Sequence, residues 1–350
     1  MKNKKYIFNV LFLIVLIAGT AYFLLKDQEI SDIVKYIKQC NPFYILLGFL
    51  FVMIFVSFES VIIHYLMKTL SCAISFIHCL KYSFIGFFVS AITPSATGGQ
   101  PAQLYYMNSD GISVAVSSIV LMVVTIAYKA VLLVLAGIMF VFEYGFVMDH
   151  ISNIIVILIF GIVVNVFMIG FLLFIIFKQS FAKRVIGNII LFLGKHRIIK
   201  NYSNTLRKVI KSINKYEDSA NYLRTHRLVF FNVFTITLFQ RLALFAITWA
   251  VYKAFGLTGF SAFEIITLQL IISLAVDNLP LPGGMGASEG IFMIFFQEIF
   301  TAVYITAGLL LSRFLSYYVI IILGGLVTAF AQFTKKKRIN NEKVDGAQKW

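Results

Sequence analysis

Apolar residues along this chain fall in runs long enough to cross a bilayer, not in the short alternation of a half-buried strand. With about 20 apolar residues needed per crossing, the pattern predicts spans at 6–25, 43–66, 113–142, 151–177, 228–252 and 301–333. Two further stretches, 80–110 and 260–300, are apolar but interrupted. The first interruption reads Pro94-Ser-Ala-Thr-Gly-Gly-Gln-Pro101 and the second Pro280-Leu-Pro-Gly-Gly-Met-Gly-Ala-Ser-Glu289. Four of the five prolines lie in these two clusters. Backbone that leaves the helix at membrane depth is tolerated only inside protein or beside a polar cavity. Paired interruptions in two halves of a chain point to a transporter's binding site.

The charges between the runs give the sides. Lys2, Lys4 and Lys5 precede the first span, and Lys335, Lys336, Lys337 and Arg338 follow the last, so both termini are expected in the cytoplasm. The connection from Lys178 to Arg227 is rich in Lys and Arg against only Glu217 and Asp218, and is also expected there. Span 43–66 then runs inward to Lys68 and Lys81, and span 113–142 outward to Glu143 and Asp149. Segment 80–110 must therefore enter and leave on the cytoplasmic side, and by the same parity 260–300 enters and leaves on the outside.

The expected fold is an all-α integral membrane protein with about six full transmembrane helices plus two oppositely oriented re-entrant helical hairpins, arranged as an inverted repeat. Its repeat halves are 1–142 and 151–334 within a single polytopic domain, 1–334. The basic cytoplasmic connection 178–227 carries surface amphipathic helices across 183–224, and 335–350 is a basic cytoplasmic tail.

Composition agrees with this reading. Of 350 residues, 60% are hydrophobic and 13% charged, against roughly 25% charged in soluble proteins. The net charge of +15 sits in loops and tails, where it encodes orientation and attracts anionic lipid, so no direct nucleic-acid binding is expected. Cys40, Cys72 and Cys79 have no metal-type spacing with the histidines, which argues against a disulfide framework and a zinc site. The first apolar run is too long for a usual signal peptide core and reads as a retained span. No Walker A motif is present, and no cofactor is expected.

A broken helix presents main-chain donors and the positive end of a half-helix dipole, an arrangement suited to an anion such as a phospholipid phosphate. The candidate substrate-binding residues are Pro94, Thr97, Gly98, Gly99, Gln100 and Gln103 at the first cluster, with Pro282, Gly283, Gly284, Gly286, Ser288 and Glu289 at the second. Ser288 can cap the half-helix that starts there and Glu289 sits in its first turn, so helix capping accounts for both as well as substrate contact does. Tyr105 and Tyr106 either line the first hairpin or anchor it at the interface.

Charges inside apolar spans cost about 2.5–3.5 kcal/mol each on insertion scales and mark functional positions by default. Here they are Glu59, Lys129, Arg241, Asp277, Glu289 and Arg313. Asp277 or Glu289 can pair with Arg241 or Arg313, and structural pairing and substrate contact both stand as readings. His64 is expected to be a satisfied helix-end histidine.

Thr93-Pro-Ser-Ala-Thr-Gly-Gly-Gln-Pro101 and Leu279-Pro-Leu-Pro-Gly-Gly-Met-Gly-Ala-Ser-Glu289 resemble the two proline and glycine signatures of the lysylphosphatidylglycerol synthase transmembrane family. This is the flippase-like membrane region of bacterial phosphatidylglycerol lysyltransferases. The resemblance covers essentially the whole chain. It implies a flippase or transporter in the bacterial plasma membrane, acting on (lysyl-)phosphatidylglycerol or a related anionic or aminoacylated lipid, with a role in resistance to cationic antimicrobial peptides. The family name implies the alternative, phosphatidylglycerol lysyltransferase activity using lysyl-tRNA. Full-length lysyltransferases carry a soluble C-terminal catalytic domain, whereas about 17 residues follow Phe333 here. Lysyl transfer is therefore expected to need a separate soluble synthase. That synthase and a homo-oligomer join the phospholipid substrate and the membrane as the partners this reading allows.

Overall fold

The computed structural model describes residues 30–152, 154–178 and 216–347. The predicted span 6–25, the charges of Lys2, Lys4 and Lys5, and most of the connection 178–227 lie outside the described residues. Within that connection, 216–225 is helical.

Among the described residues the fold is all-helical. The helices are α1 (Ile30–Gln39), α2 (Pro42–Thr69), α3 (Phe76–Ala91), α4 (Gly99–Ser109), α5 (Val114–Phe142), α6 (Tyr144–Ile151), α7 (Ile155–Phe177), α8 (Arg227–Ala254), α9 (Ala262–Val276), α10 (Ala287–Phe296), α11 (Thr301–Arg313) and α12 (Val319–Ala347). A π-helical turn, Phe314–Tyr318, joins α11 to α12. Among the described residues, five helical segments are long and apolar enough to cross a membrane: α2, α5, α7, α8 and the composite Thr301–Thr334. They coincide with the predicted spans that fall in the described region. The largest displacement is at 151, where α6 ends, so that α7 begins only at Ile155.

Local chemistry sets the ends of these helices. Asn41 accepts a hydrogen bond from the Phe43 N–H while Pro42 occupies the first turn of α2, where a missing donor costs nothing. Ser113 caps α5 through the Val116 N–H, and Ser261 with Glu264 forms a reciprocal capping box on α9. Helix α1 is amphipathic, burying Ile33 while the Tyr36 ring meets Tyr304 of α11 edge-on at 5.3 Å.

Two segments share one order of elements: a 28-residue helix (α2 or α8), a helix, a break, a second helix and a long helix. Helix α2 packs along α8, and in each segment the two arms flanking the break, α3 with α4 and α9 with α10, pack on each other. Helix α7 lies against α9 at Gly161, where an added Cβ would stand 1.9 Å from the Leu274 carbonyl oxygen. Only glycine permits that approach of two backbones.

The breaks begin with the same turn and then diverge, Gly98 lying at φ −83° and its counterpart Gly286 at φ 83°. After Pro94, Ser95 and Ala96 take φ of 49° and 53°; after Pro282, Gly283 and Gly284 take 56° and 67°. The two tips meet. Pro94 and Pro282 form an antiparallel bridge, Ser95 Oγ donates to the Leu279 carbonyl at 3.1 Å, and Tyr317 OH donates to the Ala91 carbonyl at 2.8 Å. Tyr317 belongs to the π-helical turn, so that irregular turn buttresses the junction.

Candidate functional site: a polar junction where the two breaks meet

At the first break, the Gly98 N–H donates to Thr93 Oγ1 at 3.0 Å, and Thr97 Oγ1 donates to the Pro94 carbonyl at 2.9 Å. Pro94, Ala96, Thr97 and Gln100 are exposed, whereas Gly99 and Gln103 are buried. Gln100 Nε2 donates to Thr125 Oγ1, tying α4 to α5. The Gln103 side chain lies over Gly86 and beside Glu59. Tyr106 is buried and Tyr105 exposed, their rings meeting edge-on.

The second break is more enclosed. Pro282 and Gly284 are buried, Gly283 is half-buried beneath the Tyr317 ring, and Gly286 is exposed. The Gly286 N–H donates to Glu289 Oε2 at 2.7 Å, so the carboxylate closes the start of α10 from within. Ser288 is not the cap expected from sequence. Its hydroxyl donates to the Gly284 carbonyl at 3.0 Å and to Glu289 Oε2 at 3.2 Å, because Gly286 already occupies the N-cap position. Glu289 Oε1 pairs with Arg313 Nε at 2.7 Å, linking α10 to α11. Counted on from Pro94 and Pro282, Thr125 and Arg313 hold equivalent positions. Each ties the second arm of its hairpin to the helix that follows.

Of the other internal charges, Asp277 and Lys129 sit at the end of α9, Arg241 beside Tyr128, and Glu59 between α2 and α8. Asp277 accepts from Tyr128 OH and from Ser273 Oγ, the latter at 2.6 Å. The Arg241 guanidinium lies 3.7 Å from the centre of the Tyr128 ring and 5.2 Å from that of Phe55. Lys129 Nζ donates to Asn165 Oδ1 at 3.0 Å and to Asn278 Oδ1 at 3.1 Å, while Asn165 Nδ2 donates to the Gly161 carbonyl at 2.8 Å. Gln240 Nε2 donates to Glu59 Oε2 at 3.0 Å and to the Phe55 carbonyl at 3.2 Å.

Of the pairings anticipated, Glu289 with Arg313 forms directly, whereas Tyr128 mediates between Asp277 and Arg241. His64 departs from expectation: its Nδ1 is buried with no hydrogen-bond partner among the described residues, its ring facing the edge of Phe76. The Phe76 ring beside it offers that nitrogen no acceptor or donor.

A profile of the family described as the lysylphosphatidylglycerol synthase TM region matches residues 10–324, a range that takes in both breaks and every polar contact above. The chain belongs to that family. It is also similar to a UPF0104 membrane protein of Archaeoglobus fulgidus, 25% identical over 344 residues that cover 94% of this chain and 98% of the relative. As a lysylphosphatidylglycerol synthase TM-region protein with several apolar helices of spanning length, it is a multi-pass membrane protein.

Sequence reasoning missed Tyr128, Asn165, Gln240, Asn278 and Tyr317 in this member of the family. Asn165 carried a readable signal, since it interrupts the otherwise apolar α7, whose mean hydropathy reaches 2.9. Tyr128 and Tyr317 carried none, because tyrosine at such positions equally serves packing or the interface. Chemically, the junction offers exposed backbone at the first break together with buried Glu59, Lys129, Arg241 and Glu289 from α2, α5, α8 and α10, partly buried Arg313 from α11 and exposed Asp277 just after α9.

Proposed function

We propose that this protein binds the head group of a phospholipid at the meeting point of the two breaks and moves the lipid between leaflets. In this reading the breaks are tips of re-entrant hairpins that enter from opposite sides, and the two segments form an inverted repeat. Both belong to one polytopic domain, 1–334, with cytoplasmic termini in a bacterial plasma membrane. The observation that carries the reading is the contact between the tips through Pro94 and Pro282, with ionisable groups collected around it. Non-helical backbone is tolerated at membrane depth where it is enclosed by protein or lines a polar cavity, and binding sites built from broken helices lie at repeat interfaces. Lipid tails stay in the bilayer while the head passes the junction, and rocking of one segment against the other alternates access.

Family membership supports (lysyl-)phosphatidylglycerol or a related anionic or aminoacylated lipid as the cargo. Export of a cationic lipid to the outer leaflet would lower the attraction of cationic peptides to the surface. The family description also supports a second reading, lysyl transfer to phosphatidylglycerol with a separate soluble synthase.

The test is a liposome assay of labelled phosphatidylglycerol and its lysyl form, comparing wild type with Thr97→Trp. Thr97 is exposed at the first break, so the indole obstructs the junction without crowding the core. Lipid movement should fall at least about tenfold. Unchanged movement by a folded variant refutes the site, and lysyl-phosphatidylglycerol formation from lysyl-tRNA without lipid movement favours the transferase.

A further inference from the structure

The acids and cations around the end of α9 are paired unusually. Both carboxylates are satisfied by neutral donors: Asp277 by the hydroxyls of Tyr128 and Ser273, Glu59 by the amide of Gln240. The cations are left with unspent donors. Arg241 is only 8% exposed, yet it makes no hydrogen bond or ion pair with a described residue, and its Nε is buried without an acceptor. Its guanidinium lies over the faces of Tyr128 and Phe55, with the Glu59 carboxylate in electrostatic reach. Lys129, 7% exposed, spends two of its three donors on neutral amide oxygens and meets no carboxylate at ion-pair distance among the described residues. Asn278, whose Oδ1 receives one of those bonds, leaves its own Nδ2 buried and unpartnered.

Arg241 Nε on α8 and Asn278 Nδ2 at the second break are thus buried without acceptors, Lys129 on α5 keeps one donor spare beside Asn278, and the Glu59 and Asp277 charges reach Arg241 and Lys129 only from beyond ion-pair distance. Buried donors of this kind carry the full desolvation cost of an unmade bond. An anion with several acceptor oxygens answers all three at once, and charge-assisted bonds to guanidinium and ammonium are the strong ones. A tetrahedral phosphate supplies oxygens in the directions that donors from separate elements require. A planar carboxylate supplies only two.

We propose that Arg241, Lys129 and Asn278 form an anion subsite at the second break that takes a phosphate group. The inference rests on the lipid reading above and deepens it, placing the phosphate on side chains beside α9 and away from the start of α10, which Glu289 already closes. The same chemistry serves a lipid phosphodiester or free phosphate.

The experiment uses the full chain in maltoside micelles, reading the thermal midpoint against concentration of dihexanoyl phosphatidylglycerol, dihexanoylglycerol and inorganic phosphate at matched ionic strength. Phosphatidylglycerol should raise the midpoint, and dihexanoylglycerol, with the same tails and no phosphate, should not. Arg241→Gln should weaken apparent affinity roughly tenfold or more, with Arg241→Lys recovering part of it. Asn278→Asp, at a half-buried loop position that tolerates the same volume, replaces a donor with a negative charge and should abolish the response in a folded protein. A response to inorganic phosphate but not to the lipid keeps the subsite and overturns the lipid source. Equal responses to the phosphate-bearing and neutral lipids, or wild-type affinity in folded Asn278→Asp and Arg241→Gln, overturn the subsite even where liposomes show lipid movement. Absence of lipid movement by wild type overturns the parent reading instead.

Discussion

Replacing Glu289 with glutamine should destabilise the second hairpin by about 3 kcal/mol, the lower end of the range for breaking a buried ion pair. The substitution keeps the side-chain volume and leaves an oxygen to accept the Gly286 N–H, now at 2.7 Å. It removes the charge opposite Arg313 Nε, also at 2.7 Å, and the favourable charge in the first turn of α10. The side chains are 9% exposed for Glu289 and 19% for Arg313. Arg313 can therefore recover some hydration when left alone, which holds the estimate to the lower end. Arg313→Gln strands the better-buried partner and should cost at least as much. The double variant should cost less than the two single changes together, by about 1–3 kcal/mol for groups in direct contact. The assay is a titration from maltoside into dodecyl sulfate micelles, followed by helical circular dichroism. If each single variant lies within about 0.5 kcal/mol of wild type, the size of an ordinary surface change, the contact does not brace α10 to α11.

Gly161→Ala should destabilise by about 1–3 kcal/mol or more through overpacking, since the new Cβ meets the Leu274 carbonyl, whereas Gly170→Ala, with nothing within 4 Å, should be neutral or slightly stabilising in the same titration. At the open end of the first hairpin, away from the break, burial raises the affinity of Asp110 for a proton, but hydrogen bonds from Lys81 and Tyr82 with the charges of Lys81 and His78 outweigh it and hold the carboxyl below its usual range. Its contribution to stability is thus complete above the unfolded-state value and is lost as pH falls through the folded one. Melting midpoints between neutral and about pH 3 should fall for wild type and be flatter for Asp110→Asn. Burial pushes the Cys40 thiol up to about 11, and Cys72 is the least buried of the three cysteines. Maleimide at neutral pH should therefore modify Cys72 at least about tenfold faster than Cys40, as peptide mapping would show.

Sequence reading located the long helices because each apolar run carries its own length, and local caps such as Asn41 and Ser113 confirm where they begin. It also placed both breaks, since proline and glycine act on backbone next to them in the chain. What it could not supply was contact between distant parts. Nothing local to Tyr128 announces that it separates Asp277 from Arg241, and nothing local to Tyr317 announces the Ala91 carbonyl. Ser288 illustrates the same limit at short range. Its place before Glu289 fits a cap, yet the left-handed turn moves the cap back to Gly286 and leaves the hydroxyl to bond within the turn. The π-helical turn after Arg313 also lacked a signature in the apolar pattern, which runs through it unbroken.

The two breaks share their first turn but not its cost. Glycine adopts the left-handed region freely, so Gly283 and Gly284 rest in their bend. Ser95 and Ala96 carry a Cβ each and are held there at about 1–2 kcal/mol per residue. Turn bonds from the Ala96 and Thr97 N–H groups to the Thr93 and Pro94 carbonyls hold the bend from within, and the bridge to Pro282 and the Ser95 bond to Leu279 add restraint from across the junction. Contact between the tips thus braces strained residues at the first break and unstrained ones at the second. Two segments alike in outline are then mechanically unequal.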